Sequence, residues 1–312
     1  MRAGRYTFFC RFETDAVLPV FKGSTLRGGI GHALRRISCA LRRQDCKDCL
    51  LVVSCPYAFF FETSEPEGER SGRPRIAHRP HPYVLMPPDE EKRFYGKGDS
   101  FCFSLLLFGR ANDYLPHVVY AVQEAGREGL GKRNREPGRF LLESVRLGDD
   151  LVFAEGVLRS PAAMPRLDLA PVAAEDNDML ALSCLTPLRL KHDNGLQERL
   201  PFHVVIRAAL RRVASLEAAY GEGEPNLDYR GIVARADAVQ LVAAESRWVD
   251  YERYSNRQKS SMLFGGVMGR LLYQGGDLSE FLPLLHYCVT AHLGKQTAFG
   301  LGRISVTVSK TP

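Results

Sequence analysis

The sequence has no apolar run long enough to cross a bilayer. Its most apolar stretch, Cys49 to Phe61, is short and interrupted by Pro56, whereas a spanning helix needs about 20 apolar residues. The opening MRAGRYTFFCRFETDAVLP carries charges throughout. It lacks the apolar centre and small-residue cleavage site of a secretory leader. A cytoplasmic protein with no membrane partner is therefore expected. An excess of one charge sign is also scarce: 42 Lys and Arg stand against 36 Asp and Glu, a formal balance of +6. So small an excess permits an anionic partner without demanding one. Apolar residues are not scarce. With 312 residues, 45% of them hydrophobic, compact cores and two domains of ordinary size are expected.

The chain repeats itself. Tyr114-Leu115-Pro116 opens a helix-like stretch ending at Gly129-Leu130-Gly131-Lys132, and Phe281-Leu282-Pro283 opens another ending at Gly300-Leu301-Gly302-Arg303. Strand-like runs precede both (FCFSLLLFG, 101–109; LFGGVMGRLLY, 263–273) and follow both (RFLLESV, 139–145; RISVTVS, 303–309). The front ends match too: YTFFCRFE (6–13) parallels LSCLTPLRL (182–190), and Ala33-Leu34-Arg35-Arg36-Ile37 parallels Ala209-Leu210-Arg211-Arg212-Val213. Each half reads βαββαβ, the ferredoxin-like (RRM-like) unit that covers one face of an antiparallel sheet with two helices. The predicted fold is α+β, with two tandem domains over 1–172 and 173–312 joined by the Pro- and Ala-rich connector 158–178. A polar insertion, 63–82, interrupts the first domain. RWVDYERYSNRQ (247–258) reads as a strand whose Trp248, Tyr251 and Tyr254 make sheet contacts, with base stacking as the alternative.

The clearest helical period runs from Ser24, a candidate N-cap, to Arg43. Leu26, Ile30, Ala33, Leu34, Ile37 and Leu41 form its apolar stripe. His32, Arg36 and Arg43 lie opposite, with Arg35 and Arg42 beside them. Gly28, Gly29 and Gly31 each cost about 1 kcal/mol of helix propensity relative to Ala. Together they suggest a phosphate backbone lying close along this face.

Cys39, Cys46, Cys49 and Cys55 fall within 17 residues, with a Cys-x2-Cys at the centre. Such spacing can close a tetrahedral structural zinc site. Reduced thiols and an iron–sulfur cluster are the alternatives. Asp277-Leu278-Ser279-Glu280 reads as a capping box opening the last helix. That helix runs into HLGKQTAFGLGR (292–303). There Gly294, Gly300 and Gly302 expose backbone, and Lys295 and Arg303 supply charge for phosphates. The order is helix to strand, the reverse of a Walker loop or dinucleotide fingerprint, so a nucleotide cofactor is disfavoured.

Taken together, GKQTAFGLGRISV, FKGSTLRGGIGHALRR, CPYAFFFET, TPLRLK and RWVDYERYSNRQ resemble one family across Tyr6 to Val308. It is the CRISPR-associated repeat-processing endoribonucleases, the sixth numbered Cas family of the RAMP superfamily. The resemblance implies CRISPR repeat RNA and its crRNA product as partners, with subunits of a CRISPR effector complex as further candidates. It also implies cleavage without a catalytic metal. The 2′-hydroxyl attacks the scissile phosphate, leaving a 2′,3′-cyclic phosphate and a 5′-hydroxyl. His32 matches the catalytic histidine of the first helix, with His292 as second choice. Lys22 and Arg36, together with Arg27, are candidates for charge on the phosphorane, while Arg27 and Arg35 also join the glycine loop as RNA contacts. The tyrosine that commonly precedes the helix is absent, and Phe21 and Lys22 stand there. A non-catalytic RNA-binding RAMP subunit is the alternative function.

Overall fold

The computed structural model describes residues 1–41, 44–62, 79–133, 136–171, 178–192, 195–196, 199–255 and 260–310. Most of the expected insertion (63–78), part of the connector (172–177), and Arg42, Arg43, Arg257 and Lys259 lie outside the described residues. The chain divides into two compact units, Met1–Arg166 and Leu167–Pro312.

In the first unit β1 (Ala3–Phe12) is followed by α1 (Gly23–Ser38), β2 (Tyr83–Met86) and β3 (Ser100–Phe108). Then come α2 (Leu115–Glu128), β4 (Phe140–Leu147), β5 (Asp150–Ala154) and β6 (Val157–Leu158). The antiparallel sheet runs β6-β5-β4-β1-β3-β2. Period-2 alternation sets its faces: Tyr6, Phe8, Cys10 and Phe12 are buried while Arg5, Phe9 and Arg11 face out. On the inner face Phe8 stacks on Phe103 with ring centroids 5.0 Å apart. Helix α1 packs against α2, burying Leu26, Ile30, Ala33 and Leu34.

The second unit has β7 (Met179–Leu188), α3 (Phe202–Tyr220), α4 (Tyr229–Asp237), β8 (Gln240–Ser255), β9 (Ser260–Gln274), α5 (Leu282–Ala291) and β10 (Ile304–Ser309). Its antiparallel sheet runs β8-β9-β7-β10. In both units the first strand is central, between the third and fourth, and the second strand lies outside the third. Two ferredoxin-like units, an α+β architecture, are the outcome. The β8–β9 ribbon outruns its neighbour: β7 pairs only to Leu188↔Val267, while β8 and β9 pair on to Ser255↔Ser260. Trp248 packs across that ribbon, where a Cβ on Gly265 would lie 2.6 Å from its indole.

Three local expectations change. Helix α1 ends at Ser38 rather than Arg43, because Cys39 turns to extended backbone while its N–H closes on the Arg35 carbonyl at 2.9 Å. Lys22 occupies the N-cap, so Ser24 lies inside the helix. The predicted capping box is an Asx turn, in which Asp277 accepts from the Ser279 N–H at 2.9 Å and Glu280 pairs with Arg235 instead.

Candidate functional site

Helix α1 carries His32, Arg35 and Arg36 exposed on one face. With Cys39 they line an open groove of about 230 Å³. The helical period puts these residues together: the apolar stripe is drawn into the core, and what lies opposite it must face water. Arg36 is not idle there. It forms ion pairs with Glu124, at 2.7 Å, and Glu128, both on α2. Arg35 lies 5.5 Å above the Tyr57 ring. Burial alone would lower the Arg35 pKa, but Tyr57, Cys46 and Cys39 outweigh it and hold the guanidinium above its ordinary value. The Tyr57 phenol is itself pushed up to about 12, by burial first and then by Glu62. Tyr57 was not legible as a neighbour of this face, because the chain between Cys39 and Tyr57 returns to α1 only in the tertiary fold.

Two expected phosphate ligands lie elsewhere. Lys22 is buried, and its ammonium donates to the carbonyls of Glu90 (2.6 Å) and Val20 (3.3 Å). Burial pushes its pKa below the ordinary lysine value, against the pull of Glu90 and Glu91. It ties the start of α1 to the chain near Glu90 and does not reach the groove. Arg27 lies 5.0 Å over the Phe61 ring and 3.4 Å from His81. It borders an apolar cavity with Ile30, Leu34, Phe60 and Tyr83. The glycines of α1 are corrected too. A Cβ on Gly29 would meet Leu130 at 2.5 Å and one on Gly31 would meet Phe61 at 2.8 Å. Both make room for the protein's own side chains, and only Gly28 faces open space.

In the second unit the loop after α5 is held from several sides. The Leu293 N–H donates to the Gly302 carbonyl (2.8 Å), Gly302 N–H to Pro187 (3.1 Å) and Lys295 N–H to Arg189 (3.0 Å). Thr186 Oγ1 donates to the Gly300 carbonyl (3.0 Å) and accepts from the Arg303 N–H (2.9 Å). His292, Gln296, Gly294, Gly300 and Gly302 all have positive φ. At Gly302 the requirement is steric as well, since a Cβ would fall 1.7 Å from the Leu293 carbonyl oxygen. Among the described residues the Gly294 and Gln296 amides have no backbone acceptor. Lys295 is exposed and Arg303 half-buried. His292 is buried, its Nδ1 3.1 Å from the Leu301 carbonyl. That contact makes it a brace of the loop, against the role of second-choice catalyst.

Cys39, Cys46, Cys49 and Cys55 are half-buried free thiols. Among the described residues no group of three or more His, Cys, Asp or Glu is placed to hold a metal ion. Cys39 caps α1 while Cys46 and Cys49 sit in a separate short turn, and Cys46 lies near enough to Cys55 and Cys39 for their charges to add to the upward push that burial gives its pKa.

A family model described as CRISPR-associated endoribonuclease Cas6 matches residues 182–304, and a model of an N-terminal domain matches residues 1–163. Residues 182–304 thus carry a Cas6-family domain. An uncharacterized protein of Archaeoglobus fulgidus is 25% identical over 297 residues, 91% of each chain. A solved Cas6 product complex aligns over 98% of this chain and 100% of its own, with TM-score 0.57 and 15% identity. Thermus thermophilus Cas6 aligns over 98% of both chains with TM-score 0.54 and 13% identity. A partial Cas6-RT-Cas1–Cas2 complex gives TM-score 0.58 at 11% identity, over 99% of this chain and 46% of that one. At such identities the structures establish a shared Cas6 fold.

Proposed function

We propose that this chain cleaves CRISPR precursor RNA within its repeats, releasing crRNAs, by a reaction that asks no metal of the site. The observation that carries this is the α1 groove, where the exposed His32 shares one open face with Arg35 and Arg36. In the reaction the 2′-oxygen forms a bond to phosphorus and the bond to the 5′-oxygen breaks. One proton leaves the nucleophile and another joins the leaving oxygen. His32 carries one of these transfers, since an imidazole can hold or release a proton near neutral pH. Arg35, and Arg36 when released from its glutamates, place positive charge beside the phosphorane. The glycine loop, with Lys295 and Arg303, contributes backbone N–H groups and charge to the RNA phosphates.

The test is cleavage of labelled repeat RNA from the source genome in EDTA, with His32→Ala and a 2′-deoxy substitution at the cut site. Circular dichroism run alongside checks that EDTA leaves the chain folded. His32→Ala is expected to slow cleavage by about 10²–10⁴-fold, the range for one positioned acid or base. Cutting of the 2′-deoxy substrate, or full activity in His32→Ala, sinks the mechanism. Tight binding without cutting by the wild type would instead favour a non-catalytic RNA-binding subunit.

A further inference from the structure

Among the described residues Lys22, Arg212 and His292 are the buried basic side chains. Two of them meet where α5 gives way to the glycine loop. Arg212, on α3, donates from Nη2 to the Ala291 carbonyl at 2.7 Å and from Nε to the His292 carbonyl at 3.2 Å. These are carbonyls at the C-terminal end of α5, which have no partner within the helix and lie at its negative pole. The last turn of α5 has no basic residue of its own. Arg212 reaches across from another helix to supply one.

Helices commonly end on a glycine in the left-handed conformation, which satisfies the last carbonyls without burying a charge. Here the residue is His292, held at φ +56° and ψ +153°, outside the left-handed helical region and in one that only glycine adopts without strain. Its imidazole Nδ1 lies 3.1 Å from the Leu301 carbonyl, the geometry of an Nδ1–H donor. The next amide, Leu293 N–H, donates to Gly302 at 2.8 Å. A continuous path of bonds therefore leads from Arg212 through His292 to both ends of the loop. A helix end alone does not need this arrangement, but a loop held in one shape does.

We propose that Arg212 is a positioning residue for RNA binding. Its fork on the Ala291 and His292 carbonyls fixes the positive-φ, extended turn at His292, and so the shape in which the loop offers Lys295 and Arg303 to phosphates. This rests on the reading that the glycine loop holds RNA. Burial pushes the guanidinium pKa below its ordinary value, partly offset by Cys288, Tyr287 and Tyr220. That is consistent with a charge kept in the core for its hydrogen bonds.

The experiment compares wild type, Arg212→Lys, Thr186→Val and the double variant Lys295→Ala with Arg303→Ala, as full chains. It measures repeat-RNA affinity against salt, KM and kcat, and folding by circular dichroism. Lysine keeps the charge but has no planar fork to span two carbonyls. Arg212→Lys is expected to fold and to weaken RNA binding about tenfold, mainly in KM. The slope of log affinity on log salt should become shallower by about one, as when one or two phosphate contacts are lost. If the double variant weakens binding while folded Arg212→Lys keeps wild-type affinity and slope, the role of Arg212 is overturned alone. If the double variant changes nothing, the RNA reading of the loop falls and the proposal falls with it. Should Arg212→Lys not fold, Thr186→Val decides. It removes the hydroxyl that braces Gly300 and Arg303 from the other side, and unchanged binding in that variant overturns the proposal.

Discussion

Gly28→Ala should stabilise the first unit, although it changes a residue on the candidate RNA face. Gly28 lies inside α1, and a Cβ built there meets nothing within 4 Å. Alanine then gains the full helix-propensity difference of about 1 kcal/mol. In a domain of this size that corresponds to a rise in Tm of about 2–4 °C. Gly31 makes the contrast. An added methyl there lies 2.8 Å from the Phe61 ring, which is stacked on Tyr57 at 5.5 Å and lies under Arg27 at 5.0 Å. The ring has little room to yield, and overpacking of this kind costs about 1–3 kcal/mol. Gly31→Ala should therefore be neutral or lose up to about 2 kcal/mol after the propensity gain. Differential scanning calorimetry of both variants measures the difference. A fall in Tm for Gly28→Ala, or an equal rise for Gly31→Ala, would refute the assignment of the two faces of α1. Repeat-RNA affinity of Gly28→Ala is the second readout. If the RNA backbone passes close over α1, affinity falls while stability rises, a combination that no loss of folding could produce.

The remaining predictions concern charge and thiols. Glu124→Gln with Glu128→Gln should release Arg36 and tighten RNA binding by up to about fivefold, the worth of an exposed ion pair of up to about 1 kcal/mol. Binding titrations at low salt read this, and a weakened complex would contradict the proposed role of Arg36. In the reduced native chain a thiol reagent should react readily with Cys39, Cys46, Cys49, Cys55 and Cys102, and with Cys10, Cys184 and Cys288 only on unfolding. Protection of the first four, with metal released by a chelator, would instead establish the zinc site that their spacing suggests. Burial pushes the Cys184 and Cys288 thiols from 9.0 to about 12. The folded chain thus keeps protons that the unfolded chain gives up, and stability should fall as pH rises from 9 toward 12. Denaturant titrations across that window, with Cys184→Ala and Cys288→Ala flattening the decline, provide the check.

The sequence alone determined the βαββαβ order of each half and the buried faces of β1 and α1, but not the added α4, β5 and β6. Period 2 in β1, the apolar run of β3 and period 3.6 in α1 are local properties, set by which side chains avoid water. Repeating them in the same order in two halves leaves the split-βαβ unit as the natural solution. The same periodicity placed His32, Arg35 and Arg36 on the solvent side of α1, and the loop composition marked 292–303. Tertiary structure decided what lies against those faces. Nothing local to Lys22 says that the carbonyl of Glu90 will cover it, or that Leu130 and Phe61 will fill the spaces at Gly29 and Gly31. Nothing local to Arg36 says that α2 will bring Glu124 and Glu128 to it. The fork of Arg212 on the carbonyls where α5 ends was likewise settled by distant chain. A periodic pattern records whether a side chain is in or out. Which partner it meets depends on contacts between elements far apart in sequence, and those exist only once the sheets and helices have packed.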